Sequence, residues 1–270
     1  MRPIACSTHL FVYEVLGREH LAMISHAGYQ AVELWAMRPH WDYGDADQVA
    51  RIAEDCGRLG LTISSIHGPF YRHVDDAKQG RWLTLYHEEP AVRAQALSEL
   101  LQVVEAAAQL GAPIVVVHWE EWGRGGEELR TLVDAAGEGG VRLALENSHL
   151  RPEASVETLV GVLERFGAEA PVGLCFDTGH AHVAEPDVVS ALRAAAPHLL
   201  SLHVHDNDGS DDTHHVPYRG TIDWAAFARA VEELELAACP FTLELRRRGP
   251  YMDDLKSALL TVERMFRGLG

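Results

Sequence analysis

A short apolar run, a polar or glycine-containing loop and an amphipathic helical stretch recur eight times along this 270-residue chain, and that repetition restricts the fold more than any other feature. The apolar runs are residues 4–8, 31–35, 62–67, 114–118, 142–146, 173–177, 200–205 and 241–245. Residues 92–110 illustrate the helical part: Leu97, Leu100, Leu101, Val104, Ala107 and Ala108 recur at three- and four-residue spacing, the stripe of a buried face. Residues 47–59, 156–166, 224–234 and 254–265 read the same way, and Gly60, Gly111 and Gly167 stand where helices stop. The run Ile114-Val115-Val116-Val117 is apolar without alternation, as expected for a strand covered on both faces. Eight such units close into a (β/α)8 TIM barrel of the α/β class. A doubly wound sheet would carry a glycine-rich first turn, and none is present. With no Pro/Gly/Ser-rich linker, the barrel is expected to be one domain spanning residues 1–270.

Charge and composition remove several classes of function. The formal net charge is −17, and Arg246-Arg247-Arg248 is the one basic run. Duplex binding depends on clustered Lys and Arg that neutralise phosphates, so nucleic acid is not an expected partner. No apolar run approaches the roughly 20 residues of a membrane span. Met1-Arg2-Pro3 leads straight into an apolar strand, so a soluble, cytoplasmic protein without membrane partners is expected. Cys6, Cys56, Cys175 and Cys239 lie far apart in apolar segments with no CxxC pair and read as reduced thiols.

In a barrel of this kind the chemistry comes from the C-terminal strand ends and the loops that follow them. Those ends read His67, His118, Glu146, Asp177 with His180, His203 with His205, and Glu244. Half of the sixteen histidines (67, 118, 180, 182, 203, 205, 214 and 215) sit at or just beyond strand ends. Buried imidazoles and carboxylates need partners, and converging ones partner each other most readily through a cation. Mixed His/Asp/Glu ligation suits zinc, manganese, iron or cobalt better than calcium or magnesium. Glu146 and Glu244 close the apolar runs LALE and FTLE, a costly place for a charge unless it is paired. Asp177 and His180 lie three apart around Gly179, which is expected to permit a tight bend that brings both to one ion. His203 and His205 share a strand face, with His203 the preferred ligand and His205 orienting substrate or a ligand. His182 reads as a loop-structural residue. In the loop 206–215, Asp208 and Asp211 read as a solvated turn, whereas Asp212 and His214 stand beside the mouth at metal-ligand spacing.

The segments IHGPF (66–70), VVHW (116–119), ALEN (144–147), FDTGH (176–180), HVHDN (203–207), DTHH (212–215), GTIDW (220–224) and LELR (243–246) together resemble the xylose isomerase-like barrels along the whole chain. That group joins sugar and sugar-phosphate isomerases and epimerases with apurinic endonucleases of the endonuclease IV type. The resemblance implies a four-ligand core, Glu146, Asp177, His203 and Glu244, which in the epimerases holds one manganese-like ion. There the two glutamates also act as acid and base on opposite faces of the sugar, and His180 would hold substrate. The endonuclease branch implies five further ligands of a three-zinc cluster, here His67, His118, His180, Asp212 and His214. The sequence departs from the group at Val216-Pro217-Tyr218-Arg219-Gly220, where Tyr218 and Arg219 replace a glycine and its acidic follower. The loop 182–187 is short and acidic where endonuclease relatives carry basic, aromatic DNA contacts.

The expected activity is therefore a divalent-metal-dependent isomerisation or epimerisation of a sugar or sugar phosphate, with one to three zinc or manganese ions. Glu146 and Glu244 exchange protons next to a carbonyl whose enediolate the metal stabilises. Arg219 is a candidate for a substrate phosphate or carboxylate, and Trp35, Trp119 and Phe70 for pocket walls. The alternatives are a multinuclear hydrolase of a small phosphate ester and a barrel that binds metal or sugar without turnover. The expected partner is the small-molecule substrate, with self-association left open.

Overall fold

Each of eight strands pairs in parallel with its successor, and the last pairs with the first: β1 (Ile4–Ser7), β2 (Ala31–Trp35), β3 (Thr62–His67), β4 (Ile114–His118), β5 (Arg142–Glu146), β6 (Val172–Asp177), β7 (Leu199–Val204) and β8 (Phe241–Leu243). The computed structural model describes residues 4–267. Met1, Arg2 and Pro3 and residues 268–270 of the span 1–270 lie outside the described residues. Closure leaves no unpaired edge, so every strand end can be spent on the mouth. The expected (β/α)8 barrel is the fold observed.

The helices lie between the strands in sequence and form as their ends dictate. Ala46–Leu59 starts at Asp45, whose side chain accepts from the amides of Asp47 and Gln48, and stops at Gly60 with φ 69°. Pro90–Leu110 carries proline in its first turn and stops at Gly111 with φ 67°, where the amide reaches two carbonyls of the last turn. The main apolar core fills the space between sheet and helices, with Leu34, Ile66, Val103, Leu132, Leu159, Phe227 and Val262 buried in it. Ile114, Val116, Ala144, Cys175 and Leu200 form a separate small cluster. They alternate along their strands with residues of the main core, as side chains filling the barrel interior do. Cys6, Cys56 and Cys175 are free thiols, and burial pushes those of Cys56 and Cys175 up to about 12, consistent with inert packing. Among the described residues no helix is long and apolar enough to cross a membrane.

Three strands stop one or two residues earlier than the apolar runs predict: β1 at Ser7, β7 at Val204 and β8 at Leu243. The reason is shared. After Ser7 the chain turns into the 3-10 helix Thr8–Phe11, so β8, whose Leu243 lies opposite Cys6, loses its neighbour just before Glu244.

The loop after β7 is rigid for reasons its acidic composition hides. Asp206 is fully buried and accepts four hydrogen bonds: from the amides of Asn207 (2.9 Å), Gly220 (2.9 Å) and Ile222 (3.3 Å), and from Trp224 Nε1 (2.7 Å). A Cβ on Gly220 would lie 2.0 Å from the carbonyl oxygen of Asn207, so the GTIDW glycine is required by close approach. Asp206→Ala would strand several buried donors, each worth about 1–3 kcal/mol. The variant is expected to lose at least about 3 kcal/mol in urea unfolding, while Asp208→Ala, on the same loop but exposed, should leave the unfolding midpoint essentially unchanged.

Candidate metal centre and substrate cavity

The centre is organised around one imidazole. His203, at the end of β7, is fully buried, and its two ring nitrogens face opposite ways. Nε2 lies 3.0 Å from Glu33 Oε2, and Nδ1 lies 2.8 Å from Glu146 Oε1, 2.9 Å from Glu244 Oε2 and 3.9 Å from Asp177 Oδ2. Glu33 also accepts from Ser65 Oγ at 2.7 Å, across the register shift between β2 and β3. The Glu33 carboxylate can only accept, so the His203 proton sits on Nε2 and the Nδ1 lone pair is turned toward three further carboxylates. Acceptors facing acceptors at such distances repel unless a proton or a cation lies between them.

The same pattern repeats around this point. His67 Nδ1 donates to the Gly68 carbonyl (2.9 Å), leaving Nε2 3.0 Å from Glu146 Oε2. His180 Nδ1 donates to the Asn147 carbonyl (2.8 Å), leaving Nε2 3.6 Å from Asp212 Oδ2. His214 Nδ1 donates to the Glu244 carbonyl (3.0 Å), leaving Nε2 2.7 Å from Asp212 Oδ2. Backbone carbonyls thus set three tautomers so that bare nitrogens point inward, the arrangement by which outer partners prepare histidines for metal. His118 Nε2 adds a contact to Glu146 Oε2 at 3.3 Å.

Several buried polar atoms here lack any hydrogen-bond partner: Glu244 Oε2, Asp212 Oδ1, His205 Nδ1 and His9 Nδ1. Buried orphans of that kind are rare, and their concentration at one mouth fits residues built for cations. Ligand atoms of His67, Glu146, His203 and Glu244 lie within 4.8 Å of one another, and so do those of His205, Asp212 and His214. The donors are mixed, imidazole nitrogens and carboxylate oxygens, a set that divalent transition metals accept.

Asp177 joins the two lobes. Its Oδ1 caps the helix Thr178–Ala184 by accepting from the His180 amide at 2.7 Å, and its Oδ2 lies 2.9 Å from His205 Nε2. Gly179 has ordinary helical backbone rather than the expected tight bend. Its role is space, because a Cβ there would lie 2.0 Å from His205 Cε1.

Protonation follows the charges. Burial alone would raise Glu146 and Glu244, but the imidazoles around them, His203 foremost, hold both well below the usual carboxylate range. Burial would lower His67, His180, His203 and His205, but the facing carboxylates raise all four. Burial wins at His118 and His9, pushed down to about 4 and about 3.

Over the centre lies a cavity of about 340 Å³, whose floor includes Glu146, Glu244, His180, Asp212 and His214. Its aromatic wall is interlocked: Trp35 stacks on His67 at 3.8 Å, and Phe70 meets His118 edge-on at 4.6 Å and stacks on Trp82 at 5.6 Å. Phe70, Trp35 and His180 therefore lie where the sequence suggests.

Three other expected substrate contacts do not. Trp119 is 1% exposed and packs in the core, because an extended chain turns it to the side opposite His118. Arg219 is exposed and off the cavity, since the left-handed Tyr218 (φ 68°) turns that segment outward. His205 is fully buried and stacked on His214 at 4.0 Å, with Nε2 2.9 Å from Asp177 Oδ2, so of its two expected roles, orienting substrate or a ligand, the geometry fits the second. His182 is structural as expected, its Nδ1 2.7 Å from Asn207 Oδ1.

Sequence reasoning missed Glu33, His9, His149 and Arg246. A lone charge inside the apolar AVELW was a signal for Glu33, and Arg246, two beyond Glu244, lines the cavity in the place imagined for Arg219. His9, in the 3-10 helix after β1, and His149, in a loop, carry no such signal.

Residues 21–265 match the xylose isomerase-like TIM barrel family, and the chain belongs to it. The protein y4fM of Sinorhizobium fredii is 29% identical over 254 residues, covering 83% of this chain and 79% of its own. The TTHB071 protein of Thermus thermophilus, solved after soaking with ZnCl2, is similar at 27% identity and TM-score 0.75 over 99% of each chain. A D-tagatose 3-epimerase-like protein (TM-score 0.80, 19% identity, 99% of each chain) and an L-ribulose 3-epimerase (TM-score 0.80, 20% identity, 99% of this chain and 95% of that one) share the fold.

The protonation pattern fixes a stability profile. Imidazoles raised above 6.5 (His67, His180, His203, His205) contribute stability that is full below that value and is lost as pH rises through their folded values. His118 and His9, held below 6.5, cost stability as pH falls beneath it. Glu146 and Glu244, lowered, lose their contribution only at still lower pH, below 4.5. In EDTA the melting temperature is therefore expected to peak near about pH 6–7 and to fall toward pH 9. Excess zinc or manganese, replacing the imidazole protons, should abolish that alkaline fall. A melting temperature that rises from pH 7 to 9 in EDTA would contradict the assignment.

Proposed function

We propose that the chain is a divalent-metal-dependent isomerase or epimerase of a sugar or sugar derivative, with Glu146 and Glu244 as its paired base and acid. One observation carries this reading: two buried carboxylates, from strands three places apart in the ring, reach the same imidazole nitrogen beneath a cavity of about 340 Å³. Structural likeness to proteins named for sugar epimerisation supports it.

Glu146, Asp177, His203 and Glu244 would hold a zinc or manganese ion, with His67 and His118 at its flank. Bound there, such an ion would polarise the substrate carbonyl and lower the cost of charge developing on its oxygen. The chain's own residues do the rest. One glutamate takes the proton from the carbon beside the carbonyl, leaving an enediolate. The other returns a proton, to the opposite face of that carbon for epimerisation or to its neighbour for isomerisation. At the end of a turnover the two carboxyl groups have exchanged protonation states, and solvent resets them. Trp35, Phe70 and Trp82 shield the reacting carbons from water, and His180 and Arg246 are placed to hold substrate oxygens.

A second reading, a multinuclear hydrolase of small phosphate esters, is favoured by the Asp212, His180, His214 and His205 lobe and by the zinc-soaked relative. Metal content separates the two. The isomerase reading expects about one tightly held ion per chain and exchange of a carbon-bound hydrogen with D2O in a panel of ketoses, followed by proton NMR. Glu146→Gln and Glu244→Gln, reloaded with metal, should each slow that exchange roughly a hundred- to ten-thousand-fold. Two or three tightly held ions with phosphate release and no hydrogen exchange would move the assignment to the hydrolase.

A further inference from the structure

Beside the cavity over the carboxylates lies a second one, of about 410 Å³, and the two share Trp82, Tyr86, Glu120 and Leu150 as common walls. They are two lobes of one cleft. Each lies near the low end of the roughly 300–1,000 Å³ that holds a drug-sized ligand, so each has room for about one ring. The inner lobe has the carboxylates and imidazoles of the proposed reaction; the outer lobe has none of them.

The outer lobe is built for a flat, hydroxylated partner. Trp122 and Tyr86 are held by one buried carboxylate: Glu120, 6% exposed, accepts from Trp122 Nε1 at 2.7 Å and from Tyr86 OH at 3.4 Å. At the junction, Trp82 and Leu150 stay 41% and 52% exposed, a large apolar surface that the fold does not bury. The two guanidiniums of the lobe do not make it an anion site. Arg151 is 3.7 Å from Glu120, Arg124 is 3.7 Å from Glu88, and both lie over the Trp122 ring, at 5.4 and 5.9 Å. Their charge is matched by carboxylates and they cover part of the Trp122 ring, so the open aromatic surface is shared between Trp122 and the exposed Trp82, ringed by hydrogen-bonding groups. That combination suits the apolar face and equatorial hydroxyls of a sugar ring.

We propose that the substrate has two rings: a sugar that reacts in the inner lobe, joined to a second sugar or an aryl group that sits in the outer lobe against Trp122 and Trp82. This rests on the isomerase reading for the inner lobe and extends it from free sugars to glycosides and disaccharides.

The test uses metal-loaded, full-length protein titrated calorimetrically with matched pairs: glucose against cellobiose, maltose and 4-nitrophenyl glucoside, and galactose against lactose and 4-nitrophenyl galactoside. At least one two-ring compound is expected to bind tenfold or more tighter than its single ring. Trp122→Ala should bring that ratio near one, and Trp122→Phe, which keeps a ring, should retain most of it. Circular dichroism confirms that the variants fold, and if Trp122→Ala does not, Arg151→Ala, at the rim of the same lobe, is expected to lower the ratio. A panel in which no two-ring compound outbinds its single ring overturns the proposal, as does a ratio that survives Trp122→Ala. Hydrogen exchange in D2O keeps the two readings separate. A two-ring preference without exchange sinks the isomerase and leaves the outer lobe as a binding site, whereas exchange on free ketoses without that preference does the reverse.

Discussion

The molecule depends on keeping four carboxylates around a single imidazole. Glu33 holds one nitrogen of His203, while Glu146, Asp177 and Glu244 crowd the other. Nothing local would assemble that group, since like charges disperse in an open chain and burial penalises each of them. A closed parallel barrel can impose it. Its strands bring residues far apart in sequence to one rim, and a large apolar core offsets the cost of the polar mouth. The strain is electrostatic, and a proton or a bound cation would relieve it.

Tautomers make the arrangement directional. Had His67, His180 and His214 been free to choose, each could have turned an N–H toward the nearest carboxylate and settled as an ordinary hydrogen bond. Backbone carbonyls of Gly68, Asn147 and Glu244 take that proton instead. Each carbonyl belongs to a strand end or the residue just after one, so the geometry of the barrel rim, and not the loops, decides which nitrogen is bare. Glu244 is used twice, its carboxylate on His203 and its carbonyl on His214. β8 ends at Leu243, so that carbonyl lies outside the strand ladder and is free for the second task.

Most of the barrel and the polar rim could be read from the sequence because both follow simple periods. Apolar runs marked the strands, three- and four-residue spacing marked the helices, and charges closing apolar runs marked Glu146 and Glu244. Where a residue's direction depended on a turn, the pattern was silent. Arg219 was lost to the left-handed backbone at Tyr218, and Trp119 to the alternation of an extended chain one step beyond His118. His205 shows a subtler limit: the alternation with His203 was right, but depth was not, and the ring lies behind Asp177 under His214. Glu33 was legible in principle, as a charge within AVELW, but its partner lay 170 residues away. The roles of the rim residues rest on chemistry that spacing alone does not determine.

The mouth is asymmetric, and the asymmetry bears on what enters it. The end of β2 and the segments following β3 and β4 supply aromatic rings: Trp35, Phe70, Trp82, Tyr86 and Trp122. Those following β6, β7 and β8 supply His180, Asp212, His214 and Arg246. A ligand spanning the cleft therefore meets charge and imidazole along one side and flat carbon along the other. A small anion would gain little from the second side, and an apolar ligand little from the first. Sugars carry both kinds of surface, polar edges rich in hydroxyls and faces of C–H groups, so a sugar can satisfy the two halves together. On the proposed reading, the whole cleft would orient the reacting carbon, leaving the two glutamates only the small motion of a proton.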